Sequence, residues 1–306
     1  MTLVTLPGQE WVDAVGPIDG LDLAVWDLDG PPDRADEVRV VVPPYLGGGR
    51  RVPALRHTPG VDLVQLLTAG YEDVQAALPF KVRLANAAGV HDASTAELAV
   101  ALTLAALRDL PAFVDAQRQE RWLPPAFHDS LADRRVLVLG YGSIGRAIAA
   151  RLLPFEVQVT AVASTARQGD ELVDAVHGVD QLAQLLPAHD VVIVVVPLNA
   201  RTAGLVDDGF LAAMPDRALL VNVARGGVVD TAALVRHAAA GRIRAALDVT
   251  EPEPLPPGHP LWTAPGVVLT PHVGGASTAF MPRATRLLRE QLSAYAAGRP
   301  LRNLVT

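Results

Sequence analysis

Short apolar runs alternate with longer polar or amphipathic stretches along this chain, and the rhythm changes once. Within residues 1–90 five runs stand out, at 3–6, 21–26, 38–42, 61–67 and 82–85, punctuated by Gly, Pro and Asp. Runs that are apolar at nearly every position predict strands buried on both faces, as in a parallel sheet. The gaps are long enough for short helices, so this part is expected to be a small α/β domain. From residue 135 the alternation is regular. Strand signals at 136–139, 157–162, 190–196, 218–223, 243–249 and 267–269 are interleaved with helical patterns, including 146–153, 181–186 and 230–240. Six strands separated by helices predict a doubly wound sheet. A helix with Ser94 as N-cap and Glu97 three residues on, running through about Leu107 and limited by Pro111, is expected to link the two domains. The last helix has Pro282 in its first turn and Leu288, Leu292 and Tyr295 on one stripe. The prolines at 252–260 read as a loop.

The strand signal at 136–139 runs into Gly140, Gly142 and Gly145, spaced G-x-G-x-x-G, and then into good helix formers. Strand, glycine turn and helix together form a dinucleotide fingerprint. Gly140 permits the tight turn, Gly142 lets the backbone approach a pyrophosphate, and Gly145 lets the helix sit close on the strand. The N–H groups of Ser143 and Ile144 would open the helix, where they and its dipole favour an anion. Residues 66–72 end a strand of the first domain. Ligands of open α/β sheets lie beyond the carboxyl ends of strands, so the backbone of Ala69 and Gly70 is a candidate donor.

Composition narrows the field. The chain has 306 residues, 50% of them hydrophobic and 19% charged, which fits two globular domains. The net charge of −7, with no basic block, argues against nucleic acid or an anionic membrane as partner. The absence of cysteine excludes disulfides, thiol catalysis and cysteine-ligated metals, and no metal site is expected. The first ten residues lack a basic region and a long apolar core, and no apolar run reaches the length of a membrane span, so a soluble cytoplasmic protein is expected.

From about residue 60 to 300 the chain resembles the D-isomer-specific 2-hydroxyacid dehydrogenase family. The resemblance is carried, in order, by residues 67–71, 95–99, the glycine motif, 196–202, 221–227, 247–256 and 270–275. Residues 1–60 carry no such motif. The resemblance implies an α/β protein of two domains. Residues 1–100 with 283–306 would be a flavodoxin-like substrate domain and residues 101–282 a Rossmann cofactor domain, with a cleft lined by Gly70, Arg225 and His272. It implies a homodimer. It also implies hydride transfer between a nicotinamide cofactor and a small D-2-hydroxy or 2-oxo acid such as glyoxylate or hydroxypyruvate. Phosphite and formate dehydrogenases share the scaffold, though formate enzymes carry extra N-terminal elements. So do dinucleotide-sensing corepressors, which are the rival reading.

The family's catalytic trio falls on Arg225, Glu253 and His272. Reduction of a 2-oxo acid puts negative charge on the carbonyl oxygen, so a proton donor must be in reach, and His272 supplies it. Glu253 can hold the imidazole tautomer and favour its charged form. Arg225 presents a fork for the substrate carboxylate, and Ala69 and Gly70 would take its other oxygen. The neighbouring Asp248 matches the residue that holds the nicotinamide carboxamide, and Glu251 and His259 are set aside. Cofactor contacts are further implied at Thr95, Pro197, Thr202, Val223, Ala224 and Gly274. Members that use NAD carry an acidic residue at the end of the second strand. Here that position is Ala163, followed by Ser164, Thr165 and Arg167, and Asp170 and Glu171 come late and are expected to begin a helix. Ser164 and Arg167 suit a 2′-phosphate, so NADP is the expected cofactor, with NAD possible.

Overall fold

The computed structural model describes residues 1–78 and 81–305. Two compact units are formed by residues 1–91 with 278–306 and by residues 92–277.

In the first unit the strands β1 (Thr2–Leu6), β2 (Leu21–Val25), β3 (Val38–Val41), β4 (Leu63–Gln65) and β5 (Arg83–Ala85) make a parallel sheet in the order β2-β1-β3-β4-β5. This is the flavodoxin-like order. Each strand falls within one residue of one of the five apolar runs. Both faces are covered, because β1 sends Val4 and Leu6 to one core and Leu3 to the other. The helix Phe280–Ala296 packs Ala284, Leu287, Leu288 and Leu292 on the Val4 side.

In the second unit eight strands follow: β6 (Arg135–Leu139), β7 (Gln158–Ala163), β8 (Arg167–Gln168), β9 (Ala175–Gly178), β10 (Val191–Val194), β11 (Ala218–Asn222), β12 (Ile243–Leu247) and β13 (Val267–Leu269). Their order is β13-β12-β11-β10-β6-β7-β9-β8, and every pairing is parallel except β8 with β9. The order reverses at β6 and β10, the switch point beyond whose carboxyl ends ligands bind in such sheets. Side chains of these two strands alternate between cores. Leu137, Leu139, Val192 and Val194 join one, and Val136, Val138, Val191 and Ile193 join the other. Burying each such side chain is worth about 1.5–3 kcal/mol.

Several expectations change. The units part at 91/92 and 277/278 rather than at 100/101 and 282/283. The whole helix Asp92–Leu107 buries Ala96, Ala99, Leu102 and Ala106 against β6 and the helix Ser143–Leu152, while Phe280 packs on Trp11 and Tyr45. Ser94 is not an N-cap: the helix starts at Asp92, whose charge suits the helix dipole, and Ser94 is buried within it. The helix ends at Leu107, as the sequence leads one to expect, and Pro111 lies in the first turn of a second helix, Leu110–Arg118. Asp170 and Glu171 do not begin a helix. They stand in the tight turn between β8 and β9, where the Asp170 carboxylate accepts the N–H groups of Leu172 and Val173. These two short strands raise the expected six to eight. They escape a hydrophobic reading because the β8 residues are exposed and β9 is broken by His177 and Gly178.

Candidate active site

Three loops of the second unit, each leaving the carboxyl end of a strand, carry the expected trio. After β11, buried Asn222 bends the chain: its Oδ1 accepts the Ala224 N–H at 3.0 Å and its Nδ2 donates to the Arg225 carbonyl at 3.1 Å. Arg225 follows, half-buried, with Nη1 donating to the Ala224 carbonyl at 2.7 Å and with no carboxylate partner among the described residues. The next residue must be glycine, since a Cβ on Gly226 would lie 1.9 Å from the Thr250 carbonyl oxygen. The loop bearing Arg225 is thus laid against the loop that follows β12.

That second loop contains Asp248 and Glu253. Asp248 is only 2% exposed and accepts three hydrogen bonds, from Thr270 Oγ1 at 2.6 Å, Val273 N–H at 2.9 Å and Gly274 N–H at 2.8 Å. Its backbone carbonyl accepts the His272 N–H at 2.8 Å. A buried carboxylate paired in this way organises the whole turn 270–274. Within that turn His272 holds φ at +54°, an uncommon conformation for a residue other than glycine and one that such networks sustain. Its Nδ1 faces Glu253 Oε1 at 2.6 Å. The carboxylate is an acceptor, so Nδ1 carries the proton in the neutral ring and Nε2 is left with no partner among the described residues. The two side chains are 44% and 40% exposed, open to a small molecule. Thr95 Oγ1 donates to the Gly274 carbonyl at 3.2 Å and closes the turn from the helix Asp92–Leu107.

The glycine turn lies at the switch point. Gly140 has φ +114°, and a Cβ there would meet the Val195 carbonyl at 2.6 Å. A Cβ on Gly145 would lie 2.1 Å from the Gly140 oxygen, so the helix Ser143–Leu152 sits hard against the turn. Gly142 is different, because a Cβ on it would meet nothing within 4 Å. The Ser143 and Ile144 N–H groups have no acceptor among the described residues. Free donors at a helix start, facing open space, fit a pyrophosphate. Pro197 and Thr202 form a small turn after β10, with the Thr202 hydroxyl donating to the Pro197 carbonyl, while Val223 and Ala224 are buried just past the end of β11.

Beyond β7, Ser164 and, in β8, Arg167 are exposed. Arg167 does not hang free: its Nη2 donates to the Tyr141 carbonyl, inside the glycine turn, at 2.6 Å. Asp170 is engaged elsewhere. It accepts from the Tyr141 hydroxyl at 3.0 Å and pairs with Arg146 at 2.9 Å, and Arg146 also pairs with Glu171. Backbone N–H donation, first from Leu172, and then the Arg146 and Tyr141 contacts hold Asp170 below the usual carboxylate range. Burial, with Asp170 beside it, pushes the Tyr141 hydroxyl up to about 12.

Ala69 and Gly70 belong to the first unit, on the turn after β4. Their N–H groups have no acceptor among the described residues. Sequence reasoning passed over Asn222, Thr270, Tyr141 and Arg146. A buried Asn at a strand end is a legible turn signal. The other three act through partners 22 to 29 residues away, which spacing does not reveal.

A model of the D-isomer specific 2-hydroxyacid dehydrogenase NAD binding domain matches residues 100–274. The chain is 35% identical to a D-3-phosphoglycerate dehydrogenase of Archaeoglobus fulgidus over 76% of its length and 44% of that protein. It is 37% identical to the glyoxylate reductase/hydroxypyruvate reductase of Mus musculus over 64% of its length and 61% of that protein. It therefore spans less than two thirds of either relative. A solved structure, a D-isomer specific 2-hydroxyacid dehydrogenase of Xanthobacter autotrophicus Py2 in complex with NADPH and MES, is 33% identical, with 99% of this chain and 98% of that one covered and a TM-score of 0.80. With the strand order, the glycine turn and the three loops, these likenesses establish that the chain belongs to the D-isomer specific 2-hydroxyacid dehydrogenase family.

Proposed function

We propose that this protein is a nicotinamide-dependent reductase of small 2-oxo acids, of the glyoxylate or hydroxypyruvate class, working with D-2-hydroxy acids in reverse. The observation that carries the reading is the 2.6 Å contact of His272 Nδ1 with Glu253 Oε1, which leaves Nε2 unpaired among the described residues on an accessible ring. His272 donates a proton to the carbonyl oxygen during reduction and takes it back in oxidation. Glu253 fixes the ring's tautomer and orientation and stabilises the imidazolium. Arg225, held by the Asn222 turn and without a carboxylate partner, pairs with a substrate carboxylate and polarises the carbonyl. In the first unit, the N–H groups of Ala69 and Gly70 donate to a carboxylate oxygen. The mouse relative's name supports the substrate class.

The glycine turn, Ser143, Ile144 and Gly145 would hold the dinucleotide's phosphates, with Thr95, Pro197, Thr202, Val223, Ala224, Asp248 and Gly274 along the rest of the molecule. The cofactor, when bound, supplies or accepts the hydride. NADPH is the proposed preference. Ala163 cannot bind ribose hydroxyls, Asp170 is committed to Arg146 and Tyr141, and Arg167 is anchored beside the glycine turn with the rest of its guanidinium available to a 2′-phosphate. The Xanthobacter protein was solved with NADPH. We also propose a homodimer. Trp122 and Phe127 are 95% and 109% exposed on a stretch without regular structure, beside a helix that exposes Phe113 and Val114. Light scattering giving a monomer mass would refute this.

A panel of 2-oxo acids with NADPH and NADH, followed by nicotinamide absorbance, tests the activity. Turnover of glyoxylate or hydroxypyruvate with NADPH favoured about tenfold or more is the expected result. Binding of the dinucleotide with no turnover of any acid would make the protein a sensor instead.

A further inference from the structure

In the turn after β4, every carbonyl is held from one side. The Leu67 oxygen faces His91 Nε2 at 2.8 Å, and the Thr68 oxygen accepts the Ala87 N–H at 2.8 Å. The Ala69 oxygen accepts Asn86 Nδ2 at 2.8 Å, and the Gly70 oxygen accepts Thr68 Oγ1 at 2.7 Å. In a planar trans peptide the C=O and the following N–H point in opposite directions. Pinning the Thr68 and Ala69 carbonyls therefore aims the Ala69 and Gly70 N–H groups together, away from residues 86–87. Neither of those N–H groups has an acceptor among the described residues.

Asn86 is itself locked. Its Oδ1 accepts the Ala88 N–H at 3.1 Å, which fixes which end of the amide donates. Its backbone N–H donates to the Asn303 carbonyl at 3.0 Å, and its carbonyl accepts Gln65 Nε2 at 3.1 Å. Gln65 in turn accepts from Gln291 Nε2 at 2.8 Å, and the Gln291 amide exchanges two hydrogen bonds with the Arg302 backbone. Gln65 and Gln291 are 0% and 1% exposed. A buried polar network with its members satisfied is rigid, and a C-terminal segment docked on β5 thereby stiffens a turn more than two hundred residues earlier.

We propose that Asn86 is a positioning residue for the substrate carboxylate, acting through the Ala69 carbonyl, with Thr68 as a second clamp and the segment 302–305 as the brace behind both. The inference rests on the reading that the Ala69 and Gly70 N–H groups bind that carboxylate. Two amides preset in direction spare the entropy of ordering them on binding.

The test uses glyoxylate and its methyl ester, or the best acid of the panel and its ester, with the intact protein. The parent should strongly prefer the acid. In Asn86→Ala, kcat/KM for the acid should fall tenfold or more, chiefly through KM, while the ester and the cofactor dissociation constant stay within twofold. Thr68→Val should show the same pattern more weakly and Thr68→Ser should restore the parent's behaviour, which keeps the test alive if Asn86→Ala folds poorly. Acid and ester falling together, or neither falling, overturns the positioning role. A parent that does not distinguish acid from ester overturns instead the reading on which it rests.

Discussion

The two functional regions of the second unit are built on opposite principles. The loops carrying Arg225, Glu253 and His272 are fastened from within, by Asp248 at 2% and Asn222 at 1% exposure. The segment after β7, with Ser164, Arg167, Asp170 and Glu171, is fastened nearer the surface, by the Arg146 ion pairs, the Arg167 contact with the Tyr141 carbonyl, and the Asp170 hydrogen bonds with the Tyr141 hydroxyl and the Leu172 and Val173 N–H groups. A buried carboxylate with three donors cannot shift without leaving those donors unpaired, at about 1–3 kcal/mol each. Surface pairs are worth little to stability and can be exchanged. The residues proposed to act on substrate thus sit on the rigid kind of support, and those proposed to choose between cofactors on the adaptable kind.

The largest expected effect breaks the first region at its reacting group. His272→Ala should lower kcat by about 10²–10⁴, the scale for losing a positioned acid. Parent-like turnover would remove His272 from the mechanism. Next comes its support. Asp248→Ala should cost about 2–5 kcal/mol of stability in chemical denaturation, because it strands three donors, and should lower kcat/KM as well. If the second region is as separable as its surface bonds imply, Arg167→Ala should reduce the NADPH/NADH ratio of kcat/KM by about tenfold with the melting temperature nearly unchanged. An unchanged ratio would refute the assignment to Arg167.

The smallest effect lies outside both regions and serves as their control. His189 is buried, with Nδ1 facing the Leu185 carbonyl and Nε2 facing the Thr160 hydroxyl, and burial lowers its pKa from the ordinary 6.5. The unfolded chain therefore takes up a proton at this site before the folded one. The contribution to stability is full above about pH 6.5 and is lost as the pH falls from there through the folded pKa. Denaturation midpoints measured across that window should fall in the parent, and the slope should be shallower in His189→Gln. An equal slope in both would place the pH dependence elsewhere.

The strands of both sheets, β8 and β9 apart, were legible because burial on two faces favours apolar residues at nearly every position, as in 191–194. The glycine turn was legible because its geometry excludes side chains at Gly140 and Gly145. The trio could be named only through a resemblance, since Arg225, Glu253 and His272 are single polar residues in loops. The start of the helix at Asp92 and the hairpin of β8 and β9 were misread for one reason. Their competing signals are local and weak, and packing of the Asp92–Leu107 helix on β6 and pairing of Asp170 with Arg146 decided between them.

Periodicity and steric demand, both properties of neighbours in the chain, thus determined the two α/β units, the strand positions and the dinucleotide turn. Tertiary structure alone decided that Asp248 braces the His272 turn, that Arg167 is tied to Tyr141, and that residues 302–305 stand behind Asn86. Hydrogen bonds between residues distant in the chain are fixed by where the sheets bring the backbone, and a linear pattern carries no term for that distance.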